Sequence, residues 1–194
     1  VVPDPAGLAP WPRPAFRQID EELVHQAWFV RMVRANFEGP DGQVFDRTIV
    51  RHPGAVAIVA VNDAHEVLLV HQYRPAVDRW VLELPAGTCD VHGEPAEESA
   101  RRELAEEVGV TASRFELLTR CLITPGFCDE YSSIFLARDL QPVPTNRHGA
   151  EEESLAVVPV PLETFDEWVD NGIIIDACAI LGVSLARRRL LTTS

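Results

Sequence analysis

GTCDVHGEPAEESARRELAEEVGV, residues 87–110, packs six glutamates between Glu94 and Glu107 into one short segment. From residue 95 to 108 the spacing predicts a helix, with Pro95 near its first turn and Gly109 as its stop. A helix advances about 100° per residue, so Glu103, Glu106 and Glu107 share one stripe roughly 100° wide. Ala100, Leu104 and Val108 form the neighbouring apolar stripe. Such a helix is anchored to a core on one side and presents carboxylates on another. Like charges three and four residues apart repel, by roughly 0.2–0.5 kcal/mol per pair in an isolated helix. Either Arg101 and Arg102 relieve a solvated acidic face, or hard divalent cations do. Clustered carboxylate oxygens suit Mg2+ or Mn2+, which keep some waters and take substrate phosphates in their remaining positions.

The segments around this helix have strand character. GAVAIVAVN (54–62) is a continuous small-apolar run, as in a strand buried on both faces. VLLVHQYR (67–74), RWVLELPAG (79–87), RFELLTRCLI (114–123), YSSIFLARDL (131–140) and the short SLAVVPV follow the same pattern. Two helices close the chain: LETFDEWVDN (162–171), ending at Gly172, and DACAILGVSLARRRL (176–190), with Asp176 as its N-cap. Upstream, residues 22–52 read as a hairpin of two long strands, LVHQAWFVRMVRANF and QVFDRTIVR, around the turn formers Gly39-Pro40-Asp41-Gly42. The proline-rich residues 1–14 read as a tail. The order predicts an α/β (mixed α+β) fold, with a mixed β-sheet covered by helices on both faces. The expected division is 1–52 for tail and hairpin and 53–194 for the main domain.

The composition narrows the function. With 194 residues, 17 basic and 30 acidic side chains, the chain carries a formal net charge of −13. It is long enough to bury one full core. An acidic protein is a poor counterion for DNA, RNA or anionic lipid, so no nucleic acid and no membrane is expected as a partner. No apolar run reaches the ~20 residues of a bilayer span, and the first residues lack the order of a secretory leader. Every basic side chain is arginine, which excludes lysine Schiff-base chemistry and a Walker-type lysine. Cys89, Cys121, Cys128 and Cys178 form no CxxC pair and match no zinc spacing. They read as free thiols, and the expected compartment is the cytoplasm.

The glutamate segment resembles the Nudix box, G-x5-E-x7-R-E-U-x-E-E-x-G-U, where U is a bulky aliphatic residue. Glu94, seven residues, then Arg102-Glu103-Leu104-Ala105-Glu106-Glu107-Val108-Gly109-Val110 match every position from the first Glu onward. One departure stands out: six residues rather than five separate Gly87 from Glu94. GAVAIVAV, LLVHQYRPAV and LELPAG resemble the lead-in of the ADP-ribose pyrophosphatase branch of Nudix hydrolases. Pro125, sixteen residues past Gly109, sits where that branch carries a proline.

The resemblance implies a Nudix-type α/β/α sandwich and metal-dependent attack of water on a nucleoside diphosphate linked to another group, with ADP-ribose first and AMP and ribose 5-phosphate as products. Other ADP-sugars, GDP-mannose or an oxidised nucleotide are alternative substrates. A non-catalytic ADP-ribose-binding regulator is the reading from a different class, and the intact glutamate set argues against it. By the same resemblance Glu103 and Glu107 are metal ligands, Glu106 is a ligand or a catalytic neighbour, and the backbone carbonyl of Ala86 is a further ligand. Gly87, Glu94, Arg102 and Gly109 are structural positions of the box, with Arg102 orienting a glutamate.

The resemblance further implies a general base on the loop 141–153, which ends in Glu151-Glu152-Glu153. In extended backbone Glu151 and Glu153 share a face, which ranks them above Glu152. From their positions in the similar branch, the resemblance implies Arg51, Arg74 and Pro125 as substrate-binding residues, Arg51 toward a partner subunit's site. Trp28, Tyr73 and Phe127 are the aromatics available to adenine. Trp28 and Phe29, adjacent in a presumed strand, point to opposite faces, and the surplus apolar face implies a homodimer through the hairpin.

Overall fold

The computed structural model describes residues 15–147 and 152–192. Among these residues the elements run β1 (Arg17–Ala27), β2 (Val30–Glu38), β3 (Val44–Arg51), β4 (Ala55–Ala60), β5 (Glu66–Arg74), β6 (Arg79–Glu83), β7 (Ala86–Thr88), α1 (Ala96–Glu103), β8 (Val110–Leu122), β9 (Tyr131–Pro142), β10 (Ala156–Pro161), α2 (Phe165–Asp170) and α3 (Ala177–Leu191). They form three sheets, ordered β1-β2-β3, β10-β5-β6 and β7-β4-β9-β8. Within these sheets the pairings are antiparallel except β4 with β9, so the fold is the expected mixed α/β arrangement.

β4 explains why two layers of helix are needed. Its alternate residues serve two different cores. Val56, Ile58 and Ala60 pack with Ala100 and Leu104 of the glutamate helix and with Phe135 and Ala137 of β9. Ala57 and Val59 join Leu69, Leu84, Ile134, Phe165, Val183 and Ala186 on the side of α2 and α3. Both faces of β4 are therefore buried, as the continuous apolar run implied. Asp176 caps α3 as expected, its carboxylate accepting from Ala179 N at 2.7 Å.

The N-terminal arm differs from the sequence expectation. Residues 23–37 do not form one strand. The chain reverses at Trp28-Phe29, pairing Ala27 with Val30, so the arm is a three-stranded meander rather than a hairpin. Trp28 takes a left-handed φ of 53° to make this turn. No glycine, proline or asparagine marks the place, which is why pattern reading missed it. Trp28 and Phe29 consequently do not flank a strand. Their rings lie 5.1 Å apart at the tip of the turn, and Trp28 is 89% exposed. The segment 79–87 is likewise divided, into β6 and β7.

The meander is tied to the rest of the chain through β3. Val50 N donates to Phe127 O at 2.8 Å and Asp129 N to Val50 O at 3.2 Å. Arg51 bridges Glu21 of β1 at 2.6 Å and Asp129 at 3.1 Å.

Candidate active site

The expected helix forms, and its last turn departs from ideal geometry. After Glu103 it widens into a π turn over Leu104–Val108 and closes at Gly109, where φ is 76°. π turns recur at functional sites because they re-aim side chains. A Cβ at Gly109 would meet Thr145 Cγ2 at 2.8 Å and Val143 O at 3.1 Å, so both conformation and space call for glycine.

This turn directs Glu103, Glu106 and Glu107 into a cleft of ≈ 330 Å³ shared with Ala86, Gly87, Arg74, Arg102, Glu152, Trp28 and Phe29. Glu103 and Glu107 are not on a solvated face; they are 9% and 3% exposed. Glu107 accepts from Ala86 N at 3.0 Å, which holds it against β7. A Cβ at Gly87 would sit 2.1 Å from Glu103 Cδ, so the missing side chain is what lets Glu103 occupy the cleft. The extra residue between Gly87 and Glu94 leaves this packing in place. Gly87→Ala therefore displaces the flexible end of Glu103 rather than the backbone. The expected result is a melting temperature within a few degrees of the parent and a turnover loss of about 100-fold, read by parallel melts and rate assays.

Arg102 holds the acidic cluster together. It donates to Glu103 at 2.7 Å, Glu106 at 3.1 Å and Glu94 at 3.3 Å. Burial works against the guanidinium charge, but Glu94 and Glu103 raise its pKa on balance. Glu94 also accepts from Ser99 Oγ at 2.6 Å and braces the loop before the helix. The Ser99 and Arg102 hydrogen bonds hold its pKa low.

Burial pushes Glu103 up to about 7 against the opposing pull of Arg102, with Glu106 and Glu152 adding repulsion. Burial likewise pushes Glu107 up to about 8, countered by the Ala86 N–H, with the charges of Glu103 and Glu152 raising it further. Both folded pKa values exceed the ordinary 4.5, so the native state binds the extra protons. The stability they contribute is present below about pH 4.5 and lost as pH rises to about 8. In the metal-free protein, melting temperature should therefore fall over that window. Millimolar Mg2+ or Mn2+ should reverse the fall at pH 8, because binding to the native state alone adds about 2.7 kcal/mol at one hundred times Kd. A melt indifferent to both pH and metal would remove the basis for a cation site.

The donor set fits a hard cation. It offers three carboxylates and the Ala86 backbone beside the cleft, with like charges held out of water. Among the described residues, no three acidic, histidine or cysteine side chains stand together around one point as they are arranged here. Glu103 and Glu106 face Arg102 instead, so ion binding requires them to turn from it.

The other expected residues divide between this cleft and its surroundings. Arg74 lines the cleft and is held by Glu83 through Nε and Nη2, at 2.9 and 2.6 Å. The Glu83 hydrogen bond raises its pKa against partial burial. Of the loop acids, Glu152 lines the cleft, Glu153 is exposed, and Glu151 lies outside the described residues. Residues 152 and 153 are helical, with Leu155 N donating to Glu152 O at 3.0 Å, so the extended-strand premise that ranked Glu153 above Glu152 does not hold there. Arg51 and Pro125 line a different cleft, together with Phe37, Phe45, Phe127 and Tyr131. Of the three aromatics considered for a base, only Trp28 lines the glutamate cleft; Tyr73 donates to Asp78 at 2.5 Å. Phe29 and Arg147 were not anticipated. Phe29 became visible only with the turn that carries it.

The four cysteines are free, as expected, and among the described residues no helix is long and apolar enough to cross a membrane.

The chain is similar to several known proteins. The NUDIX domain family model matches residues 51–176. An ADP-ribose pyrophosphatase of Bacillus subtilis (strain 168) is 35% identical over 161 residues, covering 83% of this chain and 86% of that protein. An ADP-ribose pyrophosphatase of Mycobacterium tuberculosis (strain ATCC 25618 / H37Rv) is 38% identical over 168 residues, 87% of this chain and 81% of the relative. Among solved structures, an ADP compounds hydrolase superposes with a TM-score of 0.81 over 96% of this chain and 98% of the other, at 24% identity, a likeness of fold.

Proposed function

Because the chain belongs to the NUDIX family, we propose that it hydrolyses the diphosphate bond of ADP-ribose, releasing AMP and ribose 5-phosphate. The observation that supports this most is the convergence of Glu103, Glu106, Glu107 and Glu152 with Arg74 on one cleft, in a chain whose relatives named above are ADP-ribose pyrophosphatases.

Glu103, Glu106, Glu107 and the Ala86 carbonyl are the groups that would hold Mg2+ or Mn2+. When bound, such ions neutralise a diphosphate and lower the pKa of an attacking water. The protein's own contributions are separate. Arg74 keeps Nη1 available, among the described residues, to donate to a phosphate oxygen, because Glu83 occupies only Nε and Nη2. Glu152, on the loop facing the helix, is the carboxylate suited to accept the proton of the attacking water. Arg102 holds Glu103 and Glu106 until substrate and cation arrive. Trp28 offers an exposed aromatic face at the rim on which a base can stack.

Product analysis tests this directly. Purified protein with Mg2+ or Mn2+ should convert ADP-ribose to AMP and ribose 5-phosphate faster than it cleaves other ADP-sugars, GDP-mannose or oxidised nucleotides. Preferred cleavage of one of those would transfer the assignment to that substrate. Tight ADP-ribose binding with no cleavage would make the chain a sensor.

The meander supports a homodimer. β1 is exposed along its whole length, with Ile19, Leu23 and Val24 each more than 40% exposed. A strand of this kind in water invites a second partner. Two copies joined there would bring the arm of one toward the cleft of the other. The four free thiols suit the reducing cytoplasm.

A further inference from the structure

We infer that Arg147 is a positioning residue that locks the Glu152 loop onto the end of the glutamate helix. Its guanidinium makes three hydrogen bonds to two separate elements. Nε and Nη2 donate to the carbonyl of Glu107 at 2.9 and 2.7 Å, and Nη1 donates to the carbonyl of Leu155 at 2.7 Å. Glu107 O lies in the last turn of the helix, where carbonyls lack intrahelical partners and the macrodipole favours a cation. Leu155 is buried and its N–H closes the turn that begins at Glu152. One side chain therefore connects the backbone of a cleft glutamate to the turn carrying the loop acid. Asn146 N adds a bond to Glu106 O at 3.2 Å and Val143 N one to Gly109 O at 2.8 Å, so the stretch before Arg147 is docked along the same helix end. A planar fork that serves two carbonyls at fixed angles is a task lysine reproduces only in part.

This inference rests on the diphosphatase reading and on Glu152 as the proton acceptor. The test compares Arg147→Ala, Arg147→Lys, Glu152→Gln and Arg147→Ala/Glu152→Gln. Arg147→Ala should lower kcat about 10- to 100-fold, the cost of a misplaced group, with KM changed far less. Arg147→Lys should recover part of that loss. In the Glu152→Gln background, removal of Arg147 should cost less than about twofold, because the group it positions is already gone. Hydrogen exchange should rise at Asn146 and Leu155 in Arg147→Ala while the β4 core is unchanged. A wild-type kcat in Arg147→Ala, or an equal loss in both backgrounds, overturns the inference. If Arg147→Ala does not fold, Arg147→Lys carries the same comparison. If the wild type does not cleave ADP-ribose, the substrate reading fails, and exchange alone decides whether the clamp exists.

Discussion

Glu107→Gln lowers turnover of ADP-ribose by at least about 100- to 1,000-fold while the fold persists. The loss of one group that stabilises developing charge has that magnitude in other sites. The amide preserves the size of the side chain and can still accept from Ala86 N, the bond Glu107 makes at 3.0 Å. It no longer offers a negative oxygen to a cation. The same change removes a carboxylate that is 3% exposed and whose pKa burial has pushed up to about 8. The metal-free variant should therefore melt higher than the parent at pH 8 and lose much of the parent's pH dependence between pH 4.5 and 8. Opposite movement of activity and stability separates a functional carboxylate from a structural one, since a structural glutamate would lose both together. Turnover within threefold of the parent at saturating Mg2+ would remove Glu107 from the metal site.

Deletion of residues 1–52 should abolish the proposed dimer and leave a monomeric or aggregating protein with markedly weaker ADP-ribose affinity, although the whole glutamate helix remains. Loss of one base–aromatic stack alone is worth about 1–3 kcal/mol, roughly 5- to 150-fold in affinity. The deletion removes Trp28 and Phe29 from the cleft and breaks the Arg51 bridge between Glu21 and Asp129. Trp28→Ala in the full-length chain isolates the first contribution, because the turn tip can lose its ring without loss of β1 pairing. Light scattering and calorimetry read the two effects separately. A full-length monomer at micromolar concentration with normal activity would defeat the dimer, and a truncated form with unchanged affinity would defeat the arm's role at the site.

Much of the molecule was legible because its signals are local. The Glu94-to-Val110 spacing identified the glutamate helix, and Gly109 ended it where a left-handed φ was needed. The uniform apolar run of β4 announced a strand with a core on each face. The box position of Arg102 implies a partner that orients one glutamate, and its guanidinium pairs with three, Glu94, Glu103 and Glu106.

What required the tertiary structure was everything set by contacts between distant segments. Trp28-Phe29 makes a turn in a stretch of strand-forming residues, because β2 pairs on one side with β1 and on the other with β3. Glu103 and Glu107 look solvent-facing on a helical wheel, yet β7 covers that stripe, with Gly87 leaving room for one and Ala86 N binding the other. Among the loop acids, alternation favours Glu151 and Glu153; Glu151 lies outside the described residues, and the helical turn anchored by Leu155 brings Glu152 to the cleft. Residue type and spacing along the chain determine which side chains can do the chemistry. Which of them are desolvated, and which meet, depends on neighbours that are far away in sequence, and burial, with the charges of Glu103 and Glu152 added, moves the Glu107 carboxylate from its ordinary 4.5 to about 8.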